Sequence, residues 1–76
     1  MGFETQDVER KTTAILRILR DSLEPLGARL ISRHLRDHGI ELTERAVRYH
    51  LKLMDERGFT ESVGRDGRSI TQLGLE

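Results

Sequence analysis

The chain has 76 residues, enough for one small domain, and thirteen basic residues balance thirteen acidic ones to a formal charge of zero. A domain this short buries only about 60 % of the surface its unfolded chain exposes, so its few apolar residues must nearly all serve the core. The absence of cysteine excludes disulfides and thiolate metal sites. No apolar run is long enough to span a bilayer, and the N-terminus lacks the cationic-then-apolar order of a signal peptide, so a cytoplasmic protein without a membrane partner is expected. Zero net charge argues weakly against an indiscriminate polyanion binder, but a local field depends on where the charges sit.

Residues 1–6 show no periodicity and are expected to be disordered; Glu4, Asp7 and Glu9 make this end acidic. From Asp7, a suitable N-cap, to Ser22 the pattern is helical. Val8, Thr12, Ile15 and Leu19 share one face, flanked by Leu16, Ile18 and Leu23, with Arg10, Thr13, Arg17 and Arg20 opposite. Glu24-Pro25 ends this helix, because the residue before proline avoids helical geometry. A second helix is expected over Ala28–His38, with Ile31 and Leu35 inward, Leu30 at the edge and Arg29, Arg33 and Arg36 outward. Gly39 suits the position after its C-cap, and Ile40 can make the hydrophobic contact of a Schellman stop.

Only Gly39–Leu42 separate this helix from a third, which runs from its N-cap Thr43 to residue 57 and closes at Gly58. Phe59–Val63 and Arg68–Gln72 then flank Gly64-Arg65-Asp66-Gly67, which reads as a hairpin turn. Phe59, Val63 and Ile70 are expected to cover the helices from below, and Leu73 to begin a further element. Leu75-Glu76 reads as a vector-derived tail, and the chain as a domain (residues 7–74) taken from a longer protein. Helix, helix, helix, hairpin is the order of a winged helix-turn-helix, an α+β fold that is mainly α.

The third helix carries the chemistry. Val47, Leu51 and Met54, with His50 beside them, form its apolar face, while Arg45, Arg48, Tyr49 and Lys52 stand on the other side with only Glu56 among them. Such a stripe is often a merely solvated face. Following a short glycine-containing turn, it also fits a recognition helix lying in the major groove of double-stranded DNA. In that reading Arg45 and Arg48 read bases, since a guanidinium fork matches the two acceptors of guanine. Tyr49 contacts a thymine methyl or a phosphate, and Lys52 neutralises a phosphate. Thr43 and the first-turn N–H groups form a positive pole for another phosphate, and Arg29 acts likewise. The wing, residues 64–68, sets Arg65 and Arg68 on the adjacent backbone or minor groove, with Asp66 blunting their charge. Glu44, four residues before Arg48, can pair with it. Five cations on the duplex give a log K against log salt slope of at most about −4.5 per protomer.

TERAVRYHLKLMDERGF, the GRDGRSIT segment and the PLGARLIS segment together resemble the ribonuclease R winged-helix family, which includes archaeal nitrogen-regulation repressors. The likeness covers Val8–Gly74. It implies a DNA-binding module of transcriptional regulators whose effector-sensing domains are separate, so no small-molecule ligand is expected here. Repressors of this kind usually act as dimers on two-fold sites; no residue here identifies a dimer interface, and a homodimer, if formed, is expected through domains absent from these residues. The ribonuclease in the family label implies kinship with an accessory domain, not nuclease chemistry.

Other signals lead elsewhere or nowhere. His34 and His38 have the i, i+4 spacing of a zinc pair but no third ligand, so no metal or other cofactor is expected. His50 on the inward face reads as a hydrogen-bonded core residue rather than a pH switch. The Gly-x-x-Gly of residues 64–67 joins strands, whereas the RNA-binding KH loop joins helices. No serine has a nucleophile context and three short helices offer no cleft for paired carboxylates, so an enzyme is not expected. Two other functions fit the same fold: an RNA-binding accessory module, which exposed aromatics other than Tyr49 would be needed to favour, and a protein-interaction winged helix.

Overall fold

The computed structural model describes the backbone of residues 2–75 and the side chains of residues 8–75. Its elements are α1 (Gly2–Asp21), α2 (Ala28–Asp37), α3 (Glu44–Glu56), β1 (Thr60–Val63), β2 (Gly67–Ile70) and α4 (Gln72–Leu75). The helix expected from Asp7 thus reaches back to Gly2, through residues expected to be disordered. No proline or internal glycine interrupts Phe3–Asp21, and extending a nucleated helix is far easier than starting one. Asp7 therefore lies within α1 instead of capping its N-terminus; its side chain, the Glu4 carboxylate and Met1 lie outside the described residues.

Ile15 and Leu19 of α1, Leu26, Ala28, Ile31 and Leu35 at and within α2, and Val47, Leu51 and Met54 of α3 form the core, edged by Leu16, Ile18, Ile40, Phe59 and Ile70. Leu23 and Val63, assigned to it by pattern, do not join. Leu23 is fully exposed. The helix stops at Asp21, and the Ser22 hydroxyl donates to the Glu24 carbonyl (2.6 Å), which turns the chain before the 3.6-residue period can bring Leu23 inward. Val63 is 39 % exposed. Side chains alternate along a strand, and the buried member of β1 is Thr60, so Val63 falls on the opposite face.

The link between α2 and α3 closes as expected. Gly39, at φ +81°, donates to the Arg36 carbonyl (3.0 Å) and Ile40 to that of Leu35 (2.8 Å), the two bonds of a Schellman stop. A further tie comes from buried Ser32, whose hydroxyl donates to the Leu42 carbonyl at 2.6 Å and so fastens the turn to α2. Thr43 Oγ1 then accepts the Ala46 N–H at 3.0 Å and starts α3.

β1 and β2 pair antiparallel from Thr60↔Ile70 to Val63↔Gly67, leaving residues 64–66 as the tip. The segment before α2 adds to this ribbon. Leu26 and Arg68 exchange both backbone hydrogen bonds, at 3.0 and 2.8 Å, so the α1–α2 link runs as a one-residue third strand that holds the wing against the helices. Thr71 caps α4 by accepting the Gly74 N–H (3.1 Å), and its hydroxyl donates to the Gly58 carbonyl (2.6 Å). Leu75, expected in a foreign tail, continues α4, while Glu76 lies outside the described residues.

Candidate nucleic-acid interface

Burial of Val47, His50, Leu51 and Met54 fixes which way α3 faces. Arg45, Arg48, Tyr49 and Lys52 consequently all stand exposed, Tyr49 at 60 %, with its ring edge-on to His50 at 5.6 Å between centroids. The cations are neither packed under the wing nor scattered over unrelated faces. Arg45 and Lys52 make no ion pair among the described residues. Arg48 does: its Nη2 lies 2.5 Å from Glu44 Oε2, one turn earlier, with the two side chains 64 % and 40 % exposed. An exposed i, i+4 pair of this sort contributes only about 0.3–0.5 kcal/mol, so a competing ligand can displace it.

Arg48, Leu51, Lys52 and Asp55 of α3, Ala28 at the start of α2, and Arg65, Asp66 and Arg68 of the wing line one open cleft of about 340 Å³. Four cations, two from α3 and two from the wing that follows it, thereby converge. Arg65 sits at the wing tip and is exposed. Arg29, the second residue of α2, is also exposed. Thr43 is exposed but already engaged as a cap, so one of the first-turn N–H groups offered to a phosphate is taken by its own side chain.

Arg68, expected on the duplex, is already engaged within the fold. It lies on β2 rather than at the tip, opposite Ser62, and its Nε donates to both Asp55 oxygens, at 3.1 Å to Oδ2 and 3.3 Å to Oδ1. Both side chains are less than a third exposed. Asp55 also accepts the hydroxyl of buried Thr60 at 2.5 Å. The guanidinium therefore ties the end of α3 to the wing. Asp55 is the residue that sequence reasoning missed, and its position held a clue. Glu44, Arg48, Leu51 and Asp55 follow one another along α3 at i, i+4, i+7 and i+11, on the border between its apolar and cationic faces, where a neighbouring element must pack.

His38 Nδ1 donates to the His34 carbonyl at 2.8 Å, finishing α2 with a side chain. Among the described residues no group of three or more histidine or acidic side chains is placed to hold a metal ion, and no helix is long and apolar enough to cross a membrane.

A helical core with a short helix-turn-helix, an outward cationic third helix and a two-stranded wing beside it define a winged helix-turn-helix module. The chain belongs to the ribonuclease R winged-helix domain family, whose model matches residues 13–76. It is 49 % identical over 67 residues to the global nitrogen regulator NrpRI of Methanosarcina mazei, and 51 % identical over 70 residues to the global nitrogen regulator NrpR of Methanocaldococcus jannaschii. NrpR of Methanococcus maripaludis is 48 % identical over 62 residues. These alignments take in 88 %, 92 % and 82 % of this chain but only 21 %, 13 % and 12 % of the respective relatives. No solved structure matches significantly.

Proposed function

We propose that this domain binds double-stranded DNA in a sequence-specific manner, as the reading head of a transcriptional regulator. α3 enters the major groove and the wing tip follows the adjacent backbone or minor groove. The observation that carries the reading is the convergence of Arg48 and Lys52 of α3 with Arg65 of the wing on one open cleft, while Arg45 stands exposed beside them on α3. Arg45 and Arg48 read base edges, Tyr49 a thymine methyl or a phosphate, and Lys52, Arg65 and Arg29 neutralise phosphates. Arg68 acts through the wing rather than on DNA. The similarity to proteins named global nitrogen regulators supports a regulatory, non-enzymatic role, and the cytoplasm is its proposed location. Segments outside this domain supply homodimerisation and any effector binding.

The test is a titration of the domain against mixed-sequence duplex DNA and single-stranded RNA at two salt concentrations. Duplex preference with steep salt dependence is expected. Preference for the single strand would transfer the domain to RNA binding, a weaker reading because base stacking there needs more exposed aromatics than Tyr49. Failure to bind either at low salt would make it a protein-interaction module.

A further inference from the structure

We infer that Glu44 is a specificity-determining residue: its carboxylate keeps backbone phosphates away from the first turn of α3 and holds Arg48 for a base edge. The inference rests on the DNA-binding reading above and deepens it. Glu44 is the first residue of α3, and it bonds the guanidinium of Arg48 on the exposed side of the helix, beside the cleft shared with the wing. The pair lies where a duplex would press, and the identity of the group that replaces it decides the outcome.

A phosphate offers Arg48 the same charge that Glu44 already offers, and brings a second anion beside the first. As water leaves the interface their repulsion grows, so this exchange is unfavourable. A G·C pair presents a different surface. Guanine O6 and N7 are neutral acceptors for the two donors of Arg48, and cytosine N4 presents an N–H that a carboxylate accepts. Side chains one helical turn apart are spaced for one base pair or two neighbouring ones. The same carboxylate therefore penalises backbone contact and rewards a base pair.

Two features of the chain agree with this. The Thr43 hydroxyl occupies the Ala46 N–H, which reduces the donors that the start of α3 could offer a phosphate. Asp55 and Asp66 stand in the same cleft as the cations, and the whole chain carries no net charge, so indiscriminate attraction to polyanions is restrained throughout.

The experiment compares the 76-residue chain with its Glu44→Gln and Glu9→Gln variants on a random-sequence duplex library. Affinity for the unselected library and the sequence preference after selection are both measured. Circular dichroism first checks that each variant is folded. Glu44→Gln is expected to bind the unselected library at least about threefold more tightly near 0.1 M salt. Its salt slope should steepen by about 0.9, one further phosphate being neutralised. Preference at one G·C pair should fall, while Glu9→Gln, with the same change of net charge on α1, behaves as the parent chain. If the parent selects a sequence but Glu44→Gln binds the library no more tightly, or Glu9→Gln reproduces the gain, the role of Glu44 is overturned and DNA binding stands. If the parent binds no duplex at all, the DNA-binding reading and this inference fall together.

Discussion

Arg68 on β2 and Asp55 near the end of α3 form a partly shielded ion pair at 3.1 Å, and the same carboxylate receives the Thr60 hydroxyl at 2.5 Å. One side chain thus joins the third helix to both strands of the wing. Since Leu26 pairs with the Arg68 backbone, the α1–α2 link belongs to the same junction. Asp55→Ala leaves the buried Thr60 hydroxyl and the Arg68 guanidinium without this acceptor. A loss of about 1–3 kcal/mol is expected in urea unfolding. An unfolding midpoint indistinguishable from the parent would show that the junction is held by its backbone alone.

The same geometry separates Arg68 from its neighbours in DNA binding. Lys52→Ala and Arg65→Ala should each flatten the log K against log salt slope by about 0.9, as expected for phosphate contacts. Arg68→Ala should lower stability and affinity while leaving the slope near that of the parent. Fluorescence anisotropy on a labelled mixed duplex over a series of salt concentrations distinguishes these behaviours. A flattened slope for Arg68→Ala would return it to the contact surface.

Arg48→Ala is expected to weaken binding to a selected duplex by about 1–3 kcal/mol and to relax preference at one position, as removal of a bidentate guanine contact does. Equal losses on selected and scrambled duplexes would instead make Arg48 a backbone contact.

Two glycines fail for different reasons when replaced. A Cβ on Gly74 would lie 2.3 Å from the Phe59 carbonyl oxygen, so Gly74→Ala must displace α4, at a cost of about 1–3 kcal/mol. A Cβ on Gly39 would meet nothing within 4 Å, but its φ of +81° is unfavourable for alanine by about 1–2 kcal/mol. Gly39→Ala should therefore loosen the helix-turn-helix and Gly74→Ala the packing of α4, which hydrogen exchange can resolve by region.

Thr43→Ala removes the acceptor of the Ala46 N–H and should cost about 1 kcal/mol, read from the shift in unfolding midpoint. Thr43→Ser keeps the acceptor and should restore most of it.

Local rules were sufficient for the faces and the facing ends of α2 and α3. The 3.6-residue period set Val47, Leu51 and Met54 inward and left Arg45, Arg48 and Lys52 outward. Gly39 with Ile40 marked the stop of α2, Thr43 the start of α3, and Glu44 was legible as the partner of Arg48, because caps and i, i+4 pairs operate within one or two turns. Periodicity misled at Leu23 and Val63, where a hydroxyl-made turn and the two-residue alternation of a strand replaced the pattern assumed.

What the sequence by itself determined was the order of elements, the outward cationic face of α3 and the likeness to a known family, all of which follow from spacing along the chain. Only the tertiary structure decided how the wing is held. The Asp55–Arg68 and Asp55–Thr60 bonds, the Leu26–Arg68 bridge and the bond from Ser32 to Leu42 join residues 5 to 42 positions apart, and no periodicity reports such distances. Whether an arginine in the wing is free for a partner or bound to its own helix depends on where two separate elements come to rest. That position is set by burial of the common core, and it leaves Arg65 to the solvent and gives Arg68 to Asp55.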